Sequence, residues 1–377
     1  EEQFEMVQYV EKGRKPRWGY FPKEGHPQAV TRFDGTRITP GFLQAIAYEV
    51  YVKNVTFGLL HQWLGDMGMT VSENTLRNWL KKGRKYLDRM VVELKRIALE
   101  KDAVVNCDET WCKVRKYDRY KKCYMWVLVN KAERVVIFFY EDGSRGRDVL
   151  TNFLGDAELK ALMSDGYNAY VFIGDGLKTH RYKDTDHQVC LAHVRAKFVK
   201  ARMEGGDKRA DVFLDNINRL FRFEREYDRE MITDGERTRR RQGLPTMEAM
   251  INLRANLLQE LKSEEEHKSC YMREALNYLH KFWNEAFTYI KDGRYPISNN
   301  LAERAVRPFT TKRKNSLHFG SDEGAEIAAV YHSIISTVKL QGRSAWGYLG
   351  KFFTGFFNGC RDFLSLTPQN IDLAVCQ

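Results

Sequence analysis

The chain has 377 residues, with 61 Lys and Arg against 50 Asp and Glu and a formal charge of +11. Its apolar share of 43% and aromatic share of 13% are those of a folded globular protein and exclude a disordered chain. No apolar run approaches the ~20 residues that span a bilayer. The basic balance fits a polyanionic partner.

Seven cysteines at irregular spacing, with no C-x-x-C pair, exclude a disulfide scaffold and point to a reducing compartment. Buried free thiols are the expectation for Cys107, Cys123 and Cys270. No signal peptide is visible. The first residue is Glu, so the numbering can begin inside a longer chain.

Residues 1–40 are rich in Gly, Pro, Lys and Arg and are expected to form a basic irregular arm, against the alternative of a solvated linker. Residues 41–101 carry helical patterning. T-F-G-L-L-H-Q-W-L-G-D-M-G is followed by T-V-S-E-N-T-L-R-N-W-L-K-K-G-R-K, with Ser72 as the expected N-cap. Helix, glycine-containing turn, helix is the helix-turn-helix outline, which a packing-only helical hairpin shares.

Residues 102–200 change character. A-V-V-N-C-D-E-T-W, K-C-Y-M-W-V-L-V-N and R-V-V-I-F-F-Y are β-branched and aromatic runs separated by charged turns, as in three sequential antiparallel strands. A helix (S-R-G-R-D-V-L-T-N-F-L), a fourth strand (K-A-L-M-S-D) and a fifth (H-Q-V-C-L-A-H) follow. This α/β order predicts the first part of a ribonuclease-H-like core, with the first and fourth strands as neighbours. Residues 201–292 are helix-forming with mixed charge and predict an all-α insertion. Residues 293–377 are expected to complete the core with the helix of Glu303 and C-terminal helices, Ser321 capping one of them. W-G-Y-L-G-K-F-F-T-G-F-F-N-G suits a buried terminal helix.

Three acidic residues stand in distinctive contexts: Asp108 in V-V-N-C-D-E-T-W, Asp165 in L-M-S-D-G-Y, and Glu303 in Y-P-I-S-N-N-L-A-E-R-A-V-R-P-F. Two strand carboxylates and a helical glutamate can converge on hard divalent cations and support attack at phosphate. Each has a structural alternative. A strand-end Asp can bond to a turn, and D-G is an ordinary turn signal. Glu303 can fold back on an Asn300 cap or pair with Arg307. Against this, Arg294, Arg304, Arg307, Lys312, Arg313 and Lys314 crowd one glutamate, as on a phosphate-binding surface. Cys190 and His193 have the spacing of half a metal site. No second pair completes it, so a buried Cys and a hydrogen-bonded His are preferred and zinc is not expected. Asp175, Asp184 and Asp186 look like loop residues and serve as internal controls.

D-E-T-W, S-D-G-Y-N-A-Y, C-L-A-H-V-R-A-K-F and Y-P-I-S-N-N-L-A-E-R-A-V-R-P-F-T-T-K-R-K-N, followed by F-G-S-D-E-G-A, resemble the insertion-sequence sixty-six family of bacterial transposases over most of residues 40–375. The N-N-x-A-E-R-x-x-R-P block is the most specific piece. The resemblance implies a DDE transposase that cleaves DNA at element ends and transfers strands into target DNA. Asp108, Asp165 and Glu303 would be its metal-binding catalytic triad, with two Mg²⁺ ions that Mn²⁺ can replace. Cys190 and His193 would be a family feature beside them. Asn299, Asn300, Arg304, Arg307, Lys312, Arg313 and Lys314 are the expected DNA contacts. Double-stranded DNA, a second copy of the chain and accessory proteins of the element are the expected partners, in a cytoplasmic, nucleoid-associated setting. A non-mobile ribonuclease-H-like nuclease and a catalytically decayed DNA-binding regulator are the alternatives. The family's cysteine-rich N-terminal stretch is missing here, and Ser316 stands where relatives often carry an aromatic residue.

Overall fold

The computed structural model describes residues 4–9, 17–22, 38–263 and 268–371, the first two segments as backbone. The chain forms two compact units. One comprises residues 1–93 and 338–377, the other residues 94–337.

In the first unit, β1 (Phe4–Tyr9) and β2 (Arg17–Pro22) pair antiparallel from Phe4 opposite Pro22 to Tyr9 opposite Arg17. This corrects the expectation of an irregular arm. F-E-M-V-Q-Y and R-W-G-Y-F-P carry the aromatic and β-branched residues that favour strands, around a Gly- and Pro-containing connection. Residues 1–3, 10–16 and 23–37 of the expected arm lie outside those described, and its last residue, Pro40, opens α1. Three helices follow: α1 (Pro40–Tyr51), α2 (Phe57–Asp66) and α3 (Glu73–Ala98), which runs on into the second unit. The Ser72 hydroxyl accepts the Thr75 N–H at 3.2 Å, closing the α3 N-terminus. Near the C-terminus α13 (Ala345–Phe357) buries Phe352, Phe353 and Phe356 and packs on α1. A Cβ at Gly350 would lie within 2.9 Å of the Gln44 side chain, so glycine permits this approach. Among the described residues no helix is long and apolar enough to cross a membrane.

The second unit is built on a mixed sheet. β3 (Val104–Lys116), β4 (Arg119–Asn130) and β5 (Val135–Glu141) form an antiparallel meander, and α4 (Arg147–Leu154) leads to β6 (Ala161–Ser164). β6 pairs parallel to β3, and β7 (Asp186–Val189) parallel to β6, giving the order β5-β4-β3-β6-β7. The fold is therefore mixed α/β, as its pattern predicts.

From β7 the chain enters α5 (Leu191–Met203). A helical stretch then runs through α6 (Ala210–Glu230), α7 (Asp234–Arg241), α8 (Leu244–Lys262), α9 (Cys270–Lys281), α10 (Trp283–Phe287) and a 3₁₀ turn over Thr288–Lys291. Its core holds Phe198, Phe213, Leu253, Met272 and Leu279. The chain returns to the sheet as α11 (Asn300–Ser316), which packs on β3 and β4.

α12 (Asp322–Leu340) covers the free edge of β5. The Thr337 hydroxyl lies 3.0 Å from both the N–H and the C=O of Val136, accepting from one and donating to the other. Ser333 accepts from Phe138 N–H at 2.7 Å and lies 3.3 Å from its C=O. Residues four apart on a helix rise ~6 Å and residues two apart on a strand ~6.6 Å, so two hydroxyls meet two exposed peptide units. An edge that would otherwise recruit another strand is satisfied internally.

Candidate active site

The register between β3 and β6 positions the two aspartates. Val104 stands opposite Ala161, and Asn106 opposite Met163. Asp108 lies two residues beyond Asn106, and Asp165 two beyond Met163. Asp108 and Asp165 thus occupy equivalent positions, each two residues past the last residue paired between the two strands, and the Asp165 charge is felt at Asp108.

Glu303 is brought to them by Asn299. This residue is fully buried at the entrance to α11. Its Nδ2 donates to the Cys107 carbonyl at 2.8 Å, and its Oδ1 accepts from Asn106 Nδ2 at 2.9 Å. Its N–H donates to the Cys190 Sγ at 3.1 Å. Three points of attachment thus pin the start of α11 to β3 and to the β7–α5 junction, with Glu303 in the first helical turn.

Asp108 registers the convergence electrostatically. Burial raises its carboxyl to about 7, and the charges of Glu109, Asp165 and Glu303 add to the rise. The Glu109 N–H donated to Asp108 Oδ1 at 2.9 Å opposes it. A buried carboxylate held up by neighbouring carboxylate charges belongs to a hard-oxygen donor set that fits a divalent cation.

Cys190 and His193 flank the glutamate. Donor atoms of Cys190, His193 and Glu303 all lie within 4.8 Å of one another, and His193 Nδ1 is 3.9 Å from Glu303 Oε1. The thiol accepts backbone N–H bonds from Ala192, His193 and Asn299, yet burial pushes it up to about 11.

Asp165 Oδ1 accepts the Tyr167 N–H at 3.0 Å, the turn role its D-G context suggests. The next peptide is held from the helical stretch, with Gly166 N–H donating to the Tyr278 hydroxyl at 2.9 Å. A Cβ at Gly166 would come within 2.4 Å of that hydroxyl and 2.7 Å of Phe282, so α9 can approach only a glycine here.

The expected DNA contacts divide. Arg304, Arg307, Lys314 and Asn300 are exposed. Asn299 is not available to DNA, because its side chain is spent on internal bonds. Lys312 is a second correction: it is 6% exposed, and burial drives its ammonium well below the usual lysine range. Arg313 is partly committed, donating to Thr110 Oγ1 at 2.9 Å and to the Trp111 carbonyl at 2.6 Å. These placements follow from the course of α11, which does not break at Pro308 but continues to Ser316. Ala302, Val306, Phe309 and Lys312 form its buried stripe, and that packing outweighs the missing proline N–H. The Asn300 capping box does not form: Asn299 is the N-cap, and its side chain bonds to β3 rather than capping the helix.

Sequence reasoning missed the support behind Asp108. Glu109 points to the opposite face, where it pairs with Arg145 (Nε to Oε1 2.5 Å) and the Tyr170 hydroxyl. Burial raises its carboxyl, while Tyr170 and Arg145 pull it down. The adjacent D-E pair on a strand was the available signal, since neighbours there face opposite ways.

A model of the family described as "Transposase IS66 family" matches residues 35–327. The chain belongs to this family. Among curated proteins, this family member is 25% identical over 350 residues to y4jD of Sinorhizobium fredii (strain NBRC 101917 / NGR234), covering 88% of this chain and 65% of the relative. It is 26% identical to y4qI of the same organism over 63% of this chain and 43% of the relative. It is 25% identical to y4hP, also of that organism, over 62% and 44%. All three carry the designation "Uncharacterized protein". The chain thus spans less than two thirds of the length of these relatives.

Proposed function

We propose that this IS66-family protein cleaves DNA strands at the ends of a mobile element and joins them to target DNA, with Asp108, Asp165 and Glu303 as its catalytic carboxylates. The observation that carries the reading is that Asp108 feels the charges of both Asp165 and Glu303, from the end of a parallel neighbour strand and the first turn of α11. The strand order β5-β4-β3-β6-β7, three antiparallel strands with two parallel ones beside the first, supports reading the core as ribonuclease-H-like.

The three carboxylates would hold the divalent metal, Mg²⁺ by preference for an all-oxygen set. When bound, the metal supplies Lewis-acid stabilisation at phosphate and lowers the pKa of water. The protein's own groups do the rest. Asp108 must shed its proton before the donor set is complete. Exposed Arg304, Arg307 and Lys314 position the phosphates of the reacting strand on α11. Asn299 fixes the helix that carries Glu303, and the Glu109–Arg145–Tyr170 cluster braces the strand that carries Asp108. Cleavage by water and joining by a DNA 3′-hydroxyl are then the same in-line displacement with different nucleophiles, and no covalent protein intermediate is required.

The test is a supercoiled plasmid carrying the element's own ends, incubated with the full chain and Mg²⁺. Asp108→Asn, Asp165→Asn and Glu303→Gln should each lower cleavage by about a thousandfold or more, judged from the scale of electrostatic catalysis, and weaken metal binding in calorimetry. Asp175→Asn, whose carboxylate pairs with Lys178 at 2.7 Å, should cut normally. Robust cleavage by a triad variant removes that residue from the assignment. Cleavage without joining would favour a nuclease.

A further inference from the structure

β3 outruns β6. Beyond Asn106 its edge is met, among the described residues, by a bridge from Val114 to Phe319, where the chain doubles back after α11. The return is held by Phe319 N–H to the Lys113 carbonyl and Arg115 N–H to the Phe319 carbonyl, both at 2.8 Å. It requires Leu317 to adopt φ 59°, a left-handed conformation unusual for a branched residue, while remaining exposed.

The turn and the strand enclose an open cleft of about 530 Å³. Its walls include Trp111, Tyr120 and His318, together with Lys113, Arg313 and Lys314. None of its lining residues is acidic. Trp111 is 39% and Tyr120 54% exposed, unusual for large rings in a concave surface. Both rings are held in place. The Arg313 guanidinium lies 4.1 Å from the Trp111 ring centre while donating to the Trp111 carbonyl, and Tyr120 and His318 approach at 4.6 Å between ring centres. Flat, pre-positioned aromatic faces among cations are the chemistry that binds single-stranded nucleic acid: rings stack on bases and cations take the phosphates. A paired base in a duplex has no free face to offer.

The position is equally specific. Trp111 lies three residues beyond Asp108 on the same strand, ~10 Å along it and, by the alternation of strand side chains, on the face opposite Asp108. Arg313 lies ten residues beyond Glu303 on the same helix, ~15 Å away. A strand whose phosphate reaches the carboxylates would have to round the edge of β3 beyond β6 to lay a base in the cleft, a few nucleotides on.

We propose that this cleft binds an unpaired nucleobase of the DNA substrate, stacked on Trp111 and Tyr120, with neighbouring phosphates on Lys113 and Lys314. The choice of DNA rests on the transposase reading; the stacking site does not depend on catalysis. The experiment therefore uses the full chain carrying Asp108→Asn, without metal. Its probes are duplexes with a single-stranded extension bearing a fluorescent adenine analogue at successive positions.

Quenching should appear at a restricted position. Trp111→Ala should abolish it and weaken binding of the extended DNA about tenfold or more. Trp111→Phe should restore much of both, and a blunt duplex should bind all three proteins alike. Tyr120→Ala, at a more exposed ring, gives an independent reading if Trp111→Ala misfolds. Wild-type binding and quenching in both alanine variants would overturn the proposal. So would an equal loss on blunt duplex, which marks a duplex contact. An RNA extension bound more tightly, with the same Trp111 dependence, would overturn the choice of DNA. The transposase reading fails on a different result, cleavage by triad variants.

Discussion

Asp108 carries a consequence for pH. Its carboxyl is raised to about 7 in the folded, metal-free protein, from 3.8 in an ordinary setting. Between those values the folded state holds a proton that the unfolded state has lost. Stability attributable to this group therefore falls as pH rises from about 4 to about 7. Asp108→Asn should remove that slope and stabilise the metal-free protein at pH 8 by on the order of 2 kcal/mol, allowing for solvent screening of a partly exposed group. Chemical unfolding at pH 5 and pH 8 measures it, and equal stability of variant and wild type at pH 8 would contradict it. Metal binding has the opposite sign. Because the carboxylate must be bare to coordinate, affinity should rise about tenfold per pH unit below 7 and level off above it, with proton release detectable by calorimetry in buffers of different ionisation heat.

At the scale of single elements, α11 combines two jobs on two faces. Its inner stripe packs on the sheet, while Arg304, Arg307 and Lys314 face solvent. Arg304→Ala and Lys314→Ala should each weaken DNA binding and flatten the slope of log affinity against log salt by about 0.9 on duplex DNA. Wild-type slopes for both would show that DNA does not follow this helix. Lys312→Ala should instead act on folding, since its side chain is buried. α12 gives a second element-level expectation. Replacing Ser333 by Ala and Thr337 by Val leaves edge peptide groups of β5 without partners inside the protein. Each change should cost about 1–3 kcal/mol in denaturant unfolding, and losses within error of zero would mean that water replaces the hydroxyls.

Across the second unit, one arginine ties the helical stretch to the approach to the site. Arg241 is 1% exposed. Its Nε and Nη2 meet the two Glu224 oxygens at 2.8 and 2.7 Å. Its remaining N–H groups donate to the carbonyls of Tyr289, Asp292 and Tyr295 at 2.6 to 3.0 Å. Those carbonyls belong to the segment that delivers Asn299 and Glu303. Arg241→Met should destabilise the protein by about 3 kcal/mol, since three carbonyls lose their donors and Glu224 keeps Arg237 but loses its fork. Arg241→Lys should not rescue it, because an ammonium cannot span two oxygens and three carbonyls. Thermal unfolding of the two variants, with hydrogen exchange across residues 289–299, checks both statements. Protection equal to wild type in that segment would remove the link.

What the sequence determined by itself was local. The β-branched runs of β3, β4 and β5, the serine caps of α3 and α12 and the buried aromatic helix near the C-terminus all follow from backbone preference and side-chain period, which act over a few residues. The family was legible too, since blocks such as N-N-x-A-E-R-x-x-R-P carry their meaning in residue identity. Tertiary structure alone decided which side chains face what. Asn299 and Lys312 stand in a polar, basic stretch, yet packing against β3 and β4 turns both inward. The same packing carries α11 through Pro308, where local preference predicts a break. Glu109, Arg145 and Tyr170 are separated by up to sixty-one residues, and the aromatic cleft joins β3 to the turn after α11 across two hundred. Such pairings depend on strand register and helix rotation, which the whole fold sets and no local window contains.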